Sequence, residues 1–273
     1  MPKIRVNNIG LEYVIKGEGI PIICIGALDL GIDTWLRFYS PRFNKNNFRT
    51  ILYNPRGMPP SDIPEPPYSI DDLTEDVNQL IDALKIESCY VIGTSLGALV
   101  AQELTIKRPD AVKKLCLVGT FGRKTVWFRA LCEGELEIYK KKLKFPRLYI
   151  AAMDMLQCFP LDYIQDDEKC SKTLDSFLKH IDYASKGRYG LFSATTEYDN
   201  RLDTLSGIKA KSLVIAFEKD VLTPYKLSKE VADVIPNSEF YCIKDAGHLG
   251  IFTHAEEVFR LALDFFLDHE IEQ

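Results

Sequence analysis

Short apolar runs recur along the chain and alternate with stretches whose apolar positions have helical spacing. The runs are bounded by Gly, Pro, Asn or Asp, which is typical of buried strands. Residues 3–7 and 11–16 alternate on either side of "NNIG" and predict a hairpin. The other predicted strands are 21–26, 48–54, 88–93, 112–119, 211–217 and 238–244.

The clearest helix is predicted to begin at Ser69. Asp71 and Asp72 follow in its first turn, where the helix dipole favours negative charge. Its apolar face consists of Leu73, Val77, Leu80, Ile81 and Leu84. Because strands that alternate with such helices form a parallel sheet covered on both sides, the sequence predicts an α/β fold with a mostly parallel central sheet.

The alternation breaks in residues 122–186. This segment has no strand pattern, and it is rich in large apolar residues at helical spacing. We predict that it forms a helical cap between two parts of one core, residues 1–121 and 187–273.

Two expectations concern the side chains of this segment. Apolar residues such as Phe128 and Tyr149 are expected to influence the choice of substrate. The run "KKLK" at 141–144 is interpreted as the solvated face of a helix.

Composition excludes several functional classes. With 273 residues, 46% of them hydrophobic and 27% charged, the chain is typical of one large globular domain. A net charge of −5 provides no general attraction to nucleic acid or to anionic membranes, and no apolar run could span a bilayer. We therefore expect neither a nucleic-acid partner nor a membrane span, while a homodimer stays open.

The cysteines, the histidines and the N-terminal segment add three expectations. The seven cysteines are scattered, with no C-x-x-C pair, and several lie in predicted strands, which favours reduced core residues over a disulfide framework. The four histidines lack metal-ligand spacing, so we expect no metal and no other cofactor. The N-terminal residues lack the apolar centre of a signal peptide, and we predict a cytoplasmic protein.

Ser95 lies in "GTSLG", directly after a predicted strand and at the start of a predicted helix. In a sharp turn of this kind the serine adopts strained backbone angles, and Gly93 and Gly97 allow close approach of neighbouring backbone. The turn would present the hydroxyl at the carboxyl edge of the sheet, beside N–H groups of the helix start. A hydroxyl next to N–H donors suits acyl transfer, whereas a serine that only caps the helix is the alternative.

A serine nucleophile needs a base, and His248 is the best candidate. It lies in "KDAGHLG", just after the strand 238–244, whereas His180, His254 and His269 are interpreted as surface or capping residues. Asp220, in the loop after the strand 211–217, is the candidate that orients the base.

Two rivals for that acid are near in sequence. Glu218 falls at the end of the strand itself, and Asp245 lies in a turn where it is expected to bond its own backbone.

Together these segments resemble the α/β-hydrolase fold superfamily with a helical cap, over essentially the whole chain. The segments "GTSLG", "FEKDVLTP" and "DAGHLG" match that family's Ser, Asp and His loops in order, and "YNPRGMPPSD" matches a further segment through Arg56, Gly57 and Ser61. The resemblance implies that Ser95 attacks an acyl carbon, that His248 acts as the base and that Asp220 orients it.

The resemblance also implies an oxyanion hole formed by two backbone N–H groups. Leu96 supplies one of them, and Ala27 or Leu28, in the loop "CIGALDLG", supplies the other. Two departures from the family pattern concern loop geometry: Ile25 stands where histidine is common, and Asn54 and Pro59 replace an aspartate and a glycine.

The expected reaction is hydrolysis of an ester or thioester of a medium-sized, fairly apolar small molecule, and "RGMPPSD" is similar to tailoring hydrolases of specialised metabolism. Asp29 and Asp33 argue against a strongly anionic substrate. An acyltransferase, a lyase and a ligand-binding receptor are the alternatives that the same pocket allows.

Overall fold

A computed structural model of the chain describes residues 1–181 and 185–270. Within these residues, eight strands form one sheet in the order β1-β2-β4-β3-β5-β6-β7-β8. The strands are β1 (Lys3–Val6), β2 (Ile9–Lys16), β3 (Ile20–Ile25), β4 (Phe48–Tyr53), β5 (Cys89–Thr94), β6 (Val112–Val118), β7 (Lys211–Phe217) and β8 (Ser238–Ile243).

The sheet is mostly parallel, as the sequence predicts. β2 pairs antiparallel with β1 and with β4, whereas every pair from β4 through β8 is parallel. The predicted strands agree with the observed ones to within two residues. The hairpin turn consists of Asn7 and Asn8, which both have positive φ angles, of 44° and 64°, as the twist of a two-residue turn requires.

Helices lie on both faces of this sheet. Those outside the segment between β6 and β7 are α1 (Ile32–Phe38), α2 (Ser40–Lys45), α3 (Ile70–Ala83), α4 (Leu96–Lys107), α11 (Tyr225–Val234), α12 (Gly250–Thr253) and α13 (Ala255–Phe266). Ser69 caps α3 as predicted, because its hydroxyl accepts from the N–H of Asp72 and the Asp72 carboxylate accepts from the N–H of Ser69.

Alternation along the strands divides the core into two layers. Ile23 and Ile25 of β3 pack in the layer with α3 and α4, while Ile22 and Cys24 pack with α1, α2 and α13. Both faces are buried because successive side chains of a strand point to opposite sides. This packing fixes the carboxyl ends of the parallel strands, where the loops with the candidate residues begin.

Between β6 and β7 the chain is helical. The helices are α5 (Val126–Lys140), α6 (Arg147–Cys158), α7 (Leu161–Ile164), α8 (Asp167–His180), α9 (Lys186–Glu197) and α10 (Leu202–Leu205). No strand occurs in the described part of this segment, and its helices continue past residue 186, since α9 ends at Glu197. Within residues 1–181 and 185–270, no helix is both long and apolar enough to cross a membrane.

Candidate active site

Ser95 occupies a strained turn between β5 and α4. Its backbone angles are φ 51° and ψ −121°, a conformation that residues with a side chain rarely adopt. A Cβ on Gly97 would lie 2.3 Å from the carbonyl oxygens of Ile25 and Gly26, and one on Gly93 would lie 2.3 Å from that of Gly97. The glycines are therefore required because the start of α4 packs directly on the end of β3.

The structure brings Ser95, His248 and Asp220 into one hydrogen-bonded line. The Nε2 atom of His248 lies 2.9 Å from the Ser95 hydroxyl, and its Nδ1 lies 2.7 Å from a carboxylate oxygen of Asp220. The Asp220 side chain is fully buried, and that of His248 is 9% exposed. The three residues come from the loops after β5, β7 and β8, as the order of the strands predicts.

Asp220 is held in its loop by several donors. One carboxylate oxygen accepts the N–H groups of Leu222 and Thr223, both at 2.9 Å, and the other accepts the Thr223 hydroxyl at 2.6 Å. Burial opposes ionisation of this carboxyl, but His248 and Thr223 outweigh it, so the pKa of Asp220 lies below its ordinary value. The group is therefore a carboxylate at neutral pH.

The two rival acids point elsewhere. Glu218 accepts from Lys244 at 2.9 Å and from the N–H of Asp245 at 3.1 Å. Asp245 pairs with Lys219 at 2.8 Å, so the expectation that it bonds its own backbone is wrong. The carboxylates of Glu218 and Asp245 are thus engaged by surface lysines, while Asp220 contacts His248.

The other three histidines do not reach Ser95. His254 is the N-cap residue of α13 and contacts the Thr253 hydroxyl at 2.9 Å. His269 lies beyond the end of α13, which ends at Phe266, and is exposed. His180, at the end of α8, lines the cavity described below.

Leu96 and Ala27 lie on either side of the contact between α4 and the loop after β3. Leu96 is the first residue of α4, and Ala27 follows Gly26, whose carbonyl oxygen touches Gly97. Neither N–H donates a hydrogen bond to another residue in the described part of the chain. Leu28 borders the cavity beside these two residues, so both candidates for the second donor stay near Ser95.

A cavity of about 780 Å³ opens over Ser95 and His248. Its volume is in the range of small-molecule sites. The helical segment between β6 and β7 contributes apolar side chains to its wall, among them Phe128, Leu131, Phe159, Phe177 and Phe192. Tyr149, the other residue expected to influence the choice of substrate, does not line this cavity and is 53% exposed.

Arg188 is a charged residue of this cavity that the sequence did not indicate. Its guanidinium donates to Asp29 at 2.9 Å and to Asp154 at 3.3 Å. Burial disfavours the charged guanidinium, but these two carboxylates outweigh it and raise the pKa of Arg188. Because Arg188 balances Asp29, that aspartate is a weaker argument against an anionic substrate than the sequence alone suggests.

Asn54 organises the loop that carries Ala27. Its side-chain oxygen accepts the N–H of Ile32 at 2.9 Å, and its amide donates to Glu12 at 2.6 Å. An aspartate here would place a second carboxylate against Glu12, whereas an amide satisfies both partners. The departure from the family pattern therefore keeps the loop ordered.

Arg56 and Ser61, of the same segment, are also structural. Arg56 forms two hydrogen bonds of 2.6 and 2.7 Å to the buried Asp76. The Ser61 hydroxyl donates to the carbonyl of Asn54 at 2.6 Å and accepts the N–H of Glu12 at 2.8 Å.

No group of three or more His, Cys, Asp or Glu side chains suited to a metal occurs among residues 1–181 and 185–270. All seven cysteines are free. Several positively charged side chains also line the cavity around Ser95, among them Arg37, Lys169, Lys172 and Arg188.

The chain belongs to the α/β-hydrolase fold family: the model of that family, described as "alpha/beta hydrolase fold", matches residues 20–255. A Mycobacterium tuberculosis protein named as a non-heme bromoperoxidase, BpoC, is 31% identical over 258 residues, which cover 94% of this chain and 98% of that protein. Its crystal structure superposes with a TM-score of 0.87 over 96% of this chain and 97% of that one.

Two further relatives carry other names. A Serratia proteamaculans protein named as a carbamate hydrolase, RutD, is 25% identical over 263 residues, covering 94% of this chain and 96% of its own length. The enol-lactonase of Burkholderia xenovorans is 25% identical, with a TM-score of 0.84 and coverage of 97% of this chain and 100% of its own.

Proposed function

We propose that the chain is a serine hydrolase that cleaves an ester or thioester of a medium-sized, fairly apolar substrate through an acyl-enzyme on Ser95. The observation that carries the proposal is the line from Asp220 through His248 to Ser95, with contacts of 2.7 and 2.9 Å, at the floor of an apolar cavity. An activated hydroxyl beside N–H donors is the arrangement that acyl transfer requires.

In this mechanism, the Ser95 oxygen attacks the carbonyl carbon and its proton passes to Nε2 of His248. The N–H groups of Leu96 and Ala27 stabilise the oxyanion, and His248 then gives the proton to the leaving alcohol or thiol. A water molecule, deprotonated by His248, then attacks the acyl-enzyme. The bond from the acyl carbon to the Ser95 oxygen breaks, the acid leaves, and His248 returns the proton to Ser95. Asp220 keeps the proton on Nδ1 and stabilises the imidazolium that forms.

We further propose that the helices after β6 act as a cap, with residues 1–121 and 187–273 as the two parts of the core and 122–186 as the cap. Phe128 of α5 and Phe177 of α8 form part of the wall of the cavity that contains Ser95. Their apolar surface suits an acyl chain or a ring better than a charged substrate. Both Arg188 and Phe192 of α9 also reach the cavity, so α9 joins the cap to the second part of the core.

The names of the relatives suit attack on a carbonyl group in two of the three cases. A carbamate and an enol lactone both contain an acyl carbon that a serine could attack, as Ser95 would attack an ester. The bromoperoxidase name denotes a different reaction, so the assay below is chosen to report the serine itself.

A fluorophosphonate probe tests the proposal, because it reacts with a serine only when the hydroxyl is activated. One equivalent should add to the wild type and to the control Ser206→Ala, a serine outside the cavity, and none to Ser95→Ala. Turnover of a short-chain nitrophenyl ester should follow the same pattern. If the wild type is not labelled but binds small apolar ligands, the alternative of a ligand-binding receptor is favoured. If Ser95→Ala is labelled, the assignment of Ser95 as the nucleophile is wrong.

A further inference from the structure

Residues 140–149, which join the end of α5 to the start of α6, form a surface of unusual composition. All ten are exposed, and they include four large apolar side chains: Leu143 (51%), Phe145 (40%), Leu148 (58%) and Tyr149 (53%). The rings of Phe145 and Tyr149 stack with their centroids 5.8 Å apart. Single exposed apolar residues are ordinary, but four within seven residues mark an interaction surface.

The same residues carry a concentrated positive charge. Lys140, Lys141, Lys142, Lys144 and Arg147 are all within this segment, and residues 138–150 contain no acidic residue, although the net charge of the chain is −5. Of these five, Lys141 pairs with the carboxylate of Glu137 at 2.6 Å. The guanidinium of Arg147 donates to the carbonyls of Leu178 and Ile181, which fixes the start of α6 against the end of α8. Arg147 therefore anchors the end of this segment to the fold.

We propose that the 140–149 surface docks on an anionic lipid membrane. Lysines beside exposed Leu, Phe and Tyr are the combination that binds a lipid interface: the apolar side chains enter the acyl boundary, and the ammonium groups pair with lipid phosphates. A lipid surface satisfies both groups of side chains without a matched shape.

A second copy of the chain fits this surface less well. In a two-fold dimer the same patch would meet itself, so its five positive side chains would face five others. Like charges at such a distance destabilise a contact, whereas they strengthen attraction to an anionic bilayer. The positive charge of the 140–149 surface therefore favours binding to an anionic bilayer over binding to a second copy of the chain.

The position of the surface connects it to the site. Lys142, Leu143, Lys144 and Phe145 border a second cavity of about 520 Å³. Glu135, Arg188 and Phe192 line both this cavity and the one that contains Ser95. Docking would place the second cavity at the membrane, from which an apolar substrate could enter. This last step rests on the proposed function, whereas the docking itself does not.

Co-flotation with vesicles tests the docking. The full chain is mixed either with phosphatidylcholine vesicles or with vesicles of equal parts phosphatidylcholine and phosphatidylglycerol. It should float with the anionic vesicles alone, and less so as the salt concentration rises. Ser95→Ala should float like the wild type, so the result does not depend on hydrolysis.

Two pairs of substitutions separate charge from apolar contact, at positions that line neither cavity. Lys140→Gln with Lys141→Gln should lower partitioning by about 25-fold, roughly fivefold for each lost charge. Leu148→Ser with Tyr149→Ser should lower it by about tenfold or more. The control pair Lys45→Gln with Lys209→Gln removes equal charge from exposed positions elsewhere and should leave partitioning unchanged.

Three outcomes would overturn the proposal. The first is a wild type that does not float with anionic vesicles, and the second is equal loss in the control pair. The third is a wild type that does not bind vesicles, forms a dimer in gel filtration, and becomes a monomer when Leu148→Ser and Tyr149→Ser are combined. That result would make the surface a contact between copies of the chain.

Discussion

The N–H of Leu249 donates to the carbonyl oxygen of Cys158 over 3.1 Å, joining the residue after His248 to the last residue of α6. The helical segment is therefore bonded directly to the histidine loop. Gly247 makes this contact close: a Cβ there would lie 2.8 Å from the Cys158 oxygen and 2.9 Å from the ring of Pro160. A shift of α6 would be transmitted to the imidazole.

Gly247→Ala should lower kcat for a soluble ester by up to about 100-fold, because the added methyl group separates the two loops and displaces His248 from Ser95. Gly134→Ala is the matched control. No atom lies within 4 Å of the position of its Cβ, and it is in the interior of α5, so the free energy of unfolding should rise by about 1 kcal/mol with kcat unchanged. An unchanged kcat in Gly247→Ala would show that the contact does not position His248.

Asp220→Asn should lower kcat by about 10⁴-fold while circular dichroism shows an intact fold, since an amide donor in place of the carboxylate favours the wrong imidazole tautomer. Glu218→Gln and Asp245→Asn should each stay within about tenfold of wild type, because their carboxylates contact Lys244 and Lys219 instead of His248. The assignment of the acid fails if either control loses more activity than Asp220→Asn.

The lowered pKa of Asp220 makes part of the stability depend on pH. The pKa of this carboxyl is lower in the folded state than in the unfolded state, where it is about 3.9. Its ionised form therefore stabilises the fold at a pH above about 3.9, and this contribution is lost as the pH falls through the folded-state pKa. Urea unfolding of wild type and Asp220→Asn between about pH 5 and pH 3 measures this. The wild type should lose more stability than the variant across that window, and parallel curves would contradict the assignment.

Phe128→Leu should shift the preference among acyl chain lengths towards longer chains, by about tenfold in relative kcat/KM, because the side chain borders the cavity and packs on Phe121. Tyr149→Leu removes an aromatic ring from the same helical segment outside that cavity. Its chain-length profile should match the wild type. If both substitutions change all rates by one common factor, the segment does not select the acyl group.

The hairpin strands could be predicted from their alternation and the other strands from their short apolar runs, and the placement of Ser95, Asp220 and His248 followed from where the strands end. Helices α1 and α2 were not predicted, because Trp35, Tyr39 and Phe43 have modest helix propensity and Pro41 interrupts the segment. Burial of these three aromatic rings against the sheet stabilises both helices instead. Local sequence does not contain that information.

Other parts of the site depend on long-range contacts or on backbone orientation. Arg188 reaches Asp29 across 159 positions, and no short motif links them. Thr223 could have been found from its spacing in "DVLT", since a hydroxyl three residues after an aspartate is placed to donate to it. The choice between Ala27 and Leu28 depends on where each N–H points, which is a property of the folded loop.

The strand order also determines when the site can form during refolding. Ser95 and His248 are 153 positions apart, and His248 follows β8, which lies at the sheet edge next to β7. Contacts of such large sequence separation form slowly, because the chain between them must be ordered first. Recovery of ester turnover after dilution from urea should therefore lag behind recovery of the circular dichroism signal of the helices. The length of this delay would report when the last strand joins the sheet.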